Sequence, residues 1–300
     1  MLQWLRKNWA VTAVMVLLMG AGFLLVSLKS PIKPSDAGHT VNRTIRYGFV
    51  VQNTTTQPLK DIRFWARAPV QQTATQQRRD IQASHPFEIQ SDGTINQVLS
   101  FHFETLPPLS TKIITVSAAL ELADRPNRLS GGIGPEYLQP EPFIESNDRQ
   151  IRTLVEELLK QPSDPSAQKL YQWVVGNVKT ASYRKNMCGA LHALRLRAGD
   201  CTDQALLFVA MCRAAKIPAR AVGGYLCDND TVLDPSGYHN WAEFYHDGRW
   251  RIADPFYRVF DPGKARYVAM RMIRPSPDHP LSEMARFRVS GEGVVARMGV

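Results

Sequence analysis

A cysteine stands where a short polar segment meets an entirely apolar run. Gly199 and Asp200 come just before Cys201, and no polar side chain occurs from residue 205 to residue 212. Glycine allows a sharp turn, and Asp200 is a favourable N-cap with Asp203 as its capping-box partner. We therefore predict Cys201 at the first position of a buried helix, where the helix dipole favours thiolate over thiol. The alternative is a structural cysteine, because free cysteine often packs as a small buried hydrophobe.

A β-hairpin further along the chain contributes a histidine and an aspartate. The sequence alternates from His239 onward, Asp247-Gly248 is a strong turn signal, and the chain returns to Asp254. With this turn at the centre, Trp241 lies opposite Asp254, so His239 and Asp254 are diagonal neighbours on one face. Diagonal Cβ atoms are roughly 7 Å apart, so the carboxylate can accept the imidazole N–H. A shift in register by one residue would separate the two side chains.

These three side chains are the nucleophile, base and orienting group of cysteine-dependent acyl transfer. Three ordered blocks around them resemble the core of the transglutaminase-like superfamily. The blocks are residues 199–203 with 213–220 and 224–225, then residues 239–243, then residues 247–250 with 254–255. Residues 190–195 also resemble the segment that precedes the cysteine in bacterial members. The resemblance covers residues 150 to 260 and implies Cys201 as nucleophile, His239 as base and Asp254 as orienting group.

The resemblance implies a papain-like α+β core and a thioester mechanism on an amide of a protein or peptide. Backbone N–H groups at the helix start would stabilise the oxyanion, and we predict Tyr183 as a further donor. Trp241 either shields the thioester from water or packs in the core. Asn240 stands where the family commonly has a small residue. Peptidase or amidase, transglutaminase and deamidase reactions use the same three residues, so the sequence leaves the outcome open.

A different class of function is a non-catalytic, membrane-anchored module that binds an extracytoplasmic partner. The complete set of cysteine, histidine and aspartate disfavours this alternative. We expect no cofactor and no metal site. Cys188 and His192 have metal-like spacing but lack two further ligands nearby. Cys212 is predicted to be inert packing, while Cys188 or Cys227 could form a disulfide whose connectivity the sequence does not give.

The 300 residues divide by composition into several segments. Strand-like alternation at residues 44–51, 61–66, 98–103 and 112–120 predicts a small antiparallel β-sandwich. Helical periodicity follows at residues 151–159 and 165–178. The predicted organisation is a transmembrane anchor at 1–30, a linker at 31–40, a β-sandwich at 41–125, a catalytic core at 145–275 and a C-terminal tail at 276–300.

Residues 9–28 contain no charge and are long enough, as a helix, to span a bilayer. A cleaved signal peptide is the alternative, but the apolar run is long and a good cleavage site is lacking. Basic residues on both sides favour a cytoplasmic N-terminus only weakly, which places the globular part in the periplasm. The net charge of +9 is scattered, and 44% apolar with 21% charged residues is ordinary for a globular protein, so we expect no nucleic-acid partner.

Overall fold

The computed structural model describes residues 38–91, 95–131, 133–161, 166–184, 187–274, 281 and 285–299. The predicted membrane span at residues 9–28 lies outside these residues. Within the described part of the chain, no helix is long and apolar enough to cross a membrane. The described residues belong to one compact unit, Ala37–Val300.

The elements are named here in chain order. The strands are β1 (Val41–Asn53), β2 (Leu59–Arg67), β3 (Gln76–Ala83), β4 (Glu88–Ser91), β5 (Gln97–Leu106), β6 (Thr111–Leu122), β7 (Lys179–Thr180), β8 (Ala198–Gly199), β9 (Ala219–Leu226), β10 (Thr231–Val232), β11 (His239–His246), β12 (Arg249–Asp254), β13 (Val259–Phe260), β14 (Tyr267–Ile273), β15 (Phe287–Val289) and β16 (Val294–Met298). The α-helices are α1 (Arg149–Leu158), α2 (Ser166–Asn177), α3 (Ala190–Leu196) and α4 (Cys201–Ala214). Short 3₁₀ helices occur at Pro135–Leu138 and Pro235–Gly237.

Two β-sheets enclose one apolar core in the first half of the chain. One sheet has the order β10-β1-β6-β3, with β16 also paired to β1, and the other has the order β15-β2-β5-β4. Phe49 of the first sheet contacts Phe64 of the second at a ring-centroid distance of 5.0 Å. Both rings are almost fully buried, and each contributes about 2 kcal/mol of hydrophobic stabilisation. This arrangement is the β-sandwich that the alternating segments predict.

Two strands of the sandwich, β3 and β4, have no apolar alternation that could predict them. At the start of β3 the buried positions are the polar residues Gln76 and Arg78, and Gln76 Nε2 donates to Val70 O at 2.6 Å. Hydrogen bonding at these positions replaces hydrophobic contact, so a period-two search of the sequence does not detect the strand.

The second half of the chain is an antiparallel sheet with helices on one side. Its strand order is β13-β12-β11-β9-β14. Helix α4 lies against this sheet, and its residues from Thr202 to Arg213 are all buried. Phe208 of α4 meets Phe244 of β11 edge to face at 6.0 Å. The predicted α+β architecture and the buried helix that carries the cysteine are therefore confirmed. Helices α1 and α2 correspond to the two helices predicted from periodicity.

The C-terminal residues are not the simple tail that the sequence predicts. Strand β15 pairs with β2, and β16 pairs with β1, so both extend sheets of the sandwich. Phe287 of β15 contacts Phe49 in the sandwich core at 5.3 Å. The strands are three and five residues long, too short for an alternation pattern to identify them.

Candidate active site

Cys201 begins helix α4 in a complete capping box. The Oδ1 atom of Asp200 accepts from the backbone N–H groups of Thr202 at 2.9 Å and Asp203 at 3.1 Å. Oδ2 of Asp203 accepts in return from Asp200 N at 3.4 Å. The predicted N-cap and first helical position are therefore confirmed. Cys201 is partly exposed, whereas the residues that follow it in the helix are buried.

The role of Gly199 differs from the predicted one. Its φ angle is not positive, so a sharp left-handed turn is not what requires glycine here. A Cβ atom at this position would lie 2.5 Å from the Cβ of Asp203. Gly199 is therefore needed because the chain passes too close to the capping-box partner for any side chain.

His239 and Asp254 meet across the hairpin in the predicted register. Ala242 lies opposite Ala253, as expected for a turn centred on Asp247-Gly248, and both turn residues have positive φ angles of 50° and 79°. His239 Nε2 donates to Asp254 Oδ2 at 2.8 Å. His239 is 4% exposed and Asp254 is fully buried. The hairpin geometry thus orients the imidazole through the carboxylate, as expected for diagonal neighbours on one face of an antiparallel pair.

Asp254 has two further donors that sequence reasoning missed. The hydroxyl of Tyr267, on β14, donates to Oδ2 at 3.0 Å. The backbone N–H of Tyr257 donates to Oδ1 at 3.1 Å. A buried carboxylate with three donors is held in one orientation. Burial and the adjacent Asp254 charge raise the pKa of Tyr267 above its ordinary value, which keeps this hydroxyl protonated and donating.

Cys201 is hydrogen-bonded to His239. Since Nε2 faces Asp254, Nδ1 is the ring nitrogen left for the thiol. Burial by itself lowers the pKa of His239, but hydrogen bonds and charges from Asp254 and Cys201 outweigh it and raise the pKa to about 9. The ring is therefore protonated at neutral pH. An imidazolium beside a sulfur at a helix N-terminus is the arrangement that cysteine nucleophiles use.

A cleft of about 470 Å³ opens over the cysteine. Tyr183, predicted as an oxyanion donor, lines this cleft and is 74% exposed. The other lining residues are Ala181, Asp200, Cys201, Pro235, Ser236, Tyr238, His239, Asn240, Phe256, Tyr257, Arg271 and Arg286. Trp241 is not among them, since it is 1% exposed and packs against Tyr267 at 5.1 Å. Of the two interpretations of Trp241, the core residue is the one that the structure supports.

Asn240 connects the hairpin to the start of helix α4. Its Nδ2 atom donates to Thr202 Oγ1 at 2.8 Å, and both residues are buried. Because Asn240 follows His239 and Thr202 follows Cys201, this bond lies directly beside the thiol and the imidazole. It therefore fixes the two elements relative to each other.

Comparison with known families finds a match for the segment that contains the site. Residues 152–255 match the model of the transglutaminase-like superfamily. This segment is a transglutaminase-like domain. It contains Cys201, His239 and Asp254, so the family resemblance drawn from the sequence blocks is confirmed. A search of the curated proteins gave no match.

Two solved structures are similar to this chain over most of its length. A protein from Cytophaga hutchinsonii, described as a candidate cysteine protease, has a TM-score of 0.58 and 21% identity, over 86% of this chain and 91% of that chain. The periplasmic domain of TgpA from Pseudomonas aeruginosa has a TM-score of 0.35 and 19% identity, over 75% of this chain and 90% of that chain. The similarity to the Cytophaga hutchinsonii protein shows that this chain and that protein share a fold.

The other cysteines of the chain are not in disulfides, and all of them lie among the described residues. Burial raises the pKa of Cys212 well above its ordinary value, and burial raises the pKa of Cys227 to about 11. Cys188 and His192, which have metal-like spacing, both meet Arg184, whose Nη1 lies 2.9 Å from His192 Nε2. A cation between these two side chains is unfavourable for a metal ion.

The surroundings of the site are completed by Tyr257, Tyr267, Arg271 and Arg286. All four lie beyond the matched residues 152–255, and Arg286 comes shortly before strand β15. The sequence does not show that these residues lie near Cys201, because the pairing of strands β14 and β15 within their sheets is what brings this part of the chain to the site. A tyrosine or arginine within a strand carries no local signal that distinguishes it from an ordinary core or surface residue.

Proposed function

We propose that the protein is a cysteine-dependent acyl transferase or hydrolase acting on an amide bond of a protein or peptide. The observation that carries the proposal is the continuous contact from Cys201 through His239 to Asp254 at the floor of an open cleft. In this proposal Cys201 is the nucleophile, His239 is the base and general acid, and Asp254 orients the imidazole.

The proposed reaction has two halves. Cys201 Sγ attacks the amide carbonyl carbon, the C–N bond breaks, and His239 gives its Nδ1 proton to the leaving amine. A thioester remains on Cys201. Water then attacks the thioester carbonyl carbon while His239 takes a proton from it, and the C–S bond breaks, which releases a carboxylic acid and restores the Cys201 thiolate beside the His239 imidazolium. A second amine in place of water gives transamidation.

One helix-start donor is suited to the oxyanion. The N–H groups of Thr202 and Asp203 are used by the Asp200 carboxylate, and the N–H of Gln204 donates to Asp200 O at 3.1 Å. The N–H of Cys201 itself is outside this capping network. We propose that it stabilises the oxyanion, with Tyr183 at the cleft rim as the second donor.

Hydrolysis is the outcome that the cleft favours. Trp241, the tryptophan beside His239 in sequence, is held in the core and cannot cover a thioester. Tyr257, whose ring lies 4.5 Å from that of His239, is 54% exposed. Water therefore has open access to the position of the thioester.

The proposed location is extracytoplasmic, with residues 9–28 as a single membrane anchor. The support is the uncharged 20-residue stretch followed by a proline-containing linker. In spheroplasts of a bacterial host, protease added outside should cut the full-length protein between the anchor and the globular part. Complete protection of residues 40–300 would contradict this orientation.

An activated ester tests the chemistry without knowledge of the natural substrate. With p-nitrophenyl acetate, the protein should release p-nitrophenolate continuously, and mass spectrometry of a quenched sample should find acetyl on Cys201. Cys201→Ala should abolish both signals, and His239→Ala should slow acylation strongly. Cys188→Ala is the matched control, because Cys188 is also partly exposed.

Two outcomes separate this proposal from the binding-module alternative. Since residues that act as a unit are non-additive, Cys201→Ala/His239→Ala should be little worse than Cys201→Ala. Unchanged ester turnover in a folded Cys201→Ala protein would rule out the proposed mechanism. A wild-type protein that never becomes acylated would favour the binding module.

A further inference from the structure

A buried hydrogen bond joins the strand that carries His239 to the helix that carries Cys201. Asn240 Nδ2 on β11 donates to Thr202 Oγ1 on α4 at 2.8 Å. The two residues are 4% and 3% exposed, so solvent does not compete for the bond. Each partner is the chain neighbour of a proposed catalytic residue. The bond therefore acts where the thiol and the imidazole meet.

This bond is a directional contact at one end of an apolar interface. Helix α4 packs on one face of the sheet, where Phe244 of β11 shares a core cluster with Phe208, whereas Trp241 belongs to a separate cluster. Asn240 lies on the same face as Phe244, because side chains alternate along a strand. Apolar contacts have no preferred direction, so they hold the helix on the sheet without fixing its position along the strand. The bond between Asn240 and Thr202 supplies a direction at the end that holds the site.

The side chain of Asn240 is devoted to this contact. Its Oδ1 atom is buried and has no hydrogen-bond partner among the residues that the structure describes. Gly223, which pairs with Asn240 on β9, leaves room for the carboxamide. A Cβ atom at Gly223 would lie 2.3 Å from the hydroxyl of Tyr238 and 2.6 Å from Asn240 Oδ1. Within the described part of the chain, the bond to Thr202 is therefore the one hydrogen bond that this side chain makes.

We propose that Asn240 and Thr202 are positioning residues that hold Cys201 against His239 for the attack on the amide. The inference rests on the proposed function, in which these two groups react together. Thr202 does not line the described cleft, so it acts on the reaction only through its neighbour. Asn240 does line the cleft, where direct contact with the substrate is the alternative role. Variants of the two residues therefore separate positioning from substrate binding.

Thr202→Val keeps the branched shape of the side chain and removes the hydroxyl that accepts from Asn240. With p-nitrophenyl acetate, we expect acylation of Cys201 to slow about ten- to hundredfold while KM stays within about twofold, because the reacting atoms are displaced. Thr202→Ser keeps the hydroxyl and should retain most of the wild-type rate. Asn240→Ala should lose as much as Thr202→Val, and the double variant should be no slower, since the same bond is lost in each case.

Two further measurements distinguish positioning from a general loss of structure. Contact with Cys201 is one of the causes that raise the pKa of His239, so loosening this contact should move the alkaline limb of the pH profile to lower pH. Labelling of Cys201 by iodoacetamide at pH 6 should slow in the same variants.

Thr73→Val is the matched control, and urea unfolding checks that every variant is folded. Thr73 is a buried threonine between β2 and β3, its Oγ1 accepts from Thr75 N at 3.2 Å, and it does not line the described cleft. The change removes a buried hydroxyl far from Cys201 in the same way. It should leave the acylation rate, the labelling rate and the pH profile unchanged.

Three results would overturn the positioning role. A folded Thr202→Val protein with wild-type rates of acylation and labelling removes it, and the same comparison with Asn240→Ala applies if Thr202→Val does not fold. Thr202→Ser as slow as Thr202→Val would show that the hydroxyl is not the group that matters. Losses that multiply in the double variant would mean that the two residues act separately.

Failure of the proposed function gives a different pattern. A wild-type protein that is never acylated would reject the proposed enzyme. Slower iodoacetamide labelling of Cys201 in Thr202→Val would then still support the positioning role, because labelling requires no turnover.

Discussion

The charge of Asp254 should be visible in the pH dependence of stability. The pKa of His239 rises from 6.5 to about 9 in the folded protein, and Asp254 is one of its two hydrogen-bond partners. Each pH unit corresponds to about 1.4 kcal/mol, so the full difference between 6.5 and about 9 amounts to about 3.5 kcal/mol of stability. Because the folded pKa is the higher one, this stabilisation is fully present below pH 6.5. It is lost as the pH rises through about 9.

Asp254→Asn tests this reasoning with little change in shape. Asparagine keeps an oxygen that can accept from His239, but it removes the negative charge. We expect Asp254→Asn to lower the free energy of unfolding by about 1–2 kcal/mol more at pH 6 than at pH 10. The reason is that Asp254 accounts for part of the coupling between protonation of His239 and folding. Urea unfolding of wild type and Asp254→Asn at both pH values measures the difference. The alkaline limb of ester turnover should also move from about pH 9 to a lower pH.

The refuting result is a loss of stability that is the same at both pH values. It would mean that Asp254 contributes through packing or neutral hydrogen bonds and leaves the protonation of His239 unaffected. Asp61→Asn is a useful control, since Asp61 contacts His102 at 2.8 Å on the surface of the sandwich, where solvent screens the charge.

Further predictions concern the residues around these groups. Tyr267→Phe removes a donor from Asp254 and should leave the carboxylate a stronger acceptor for His239, which moves the alkaline limb of the pH profile upward. In the folded protein at pH 6, limiting iodoacetamide should label Cys201 before Cys212 or Cys227, whose pKa values are raised by burial, and mass spectrometry identifies the peptide. Gly199→Ala should cost about 1–3 kcal/mol in urea unfolding, because its Cβ would clash with Asp203, whereas Gly176→Ala has open space and should be neutral or stabilising.

The site residues could be predicted because each lies in an element with a strong local signal. Asp200 before an apolar run specifies a helix start, and Asp247-Gly248 specifies a hairpin and its register. Those two local rules are sufficient to place His239 and Asp254 on one face and Cys201 at a helix N-terminus. What brings the helix to the hairpin is long-range packing, such as Phe208 against Phe244, which spacing in the sequence does not encode.

The parts that could not be predicted share a different property. Strand β3 is held by buried polar groups, and β15 and β16 are too short to show a period. For Gly199 the sequence predicts a turn, but the actual constraint is the short distance to Asp203, which exists only after the capping box forms. In each case the local structure depends on a contact between residues that come close together only when the protein folds.

The same distinction separates the three proposed catalytic residues from the rest of the cleft lining. Cys201, His239 and Asp254 lie within the matched transglutaminase-like segment, on elements that their own neighbours in sequence define. Arg271 and Arg286 reach the cleft from later parts of the chain, and Arg286 is held there by Pro235 O in the loop that precedes β11. Because β15 pairs with β2 of the sandwich, the sandwich anchors the strand that follows Arg286 while contributing no residue to the described cleft lining.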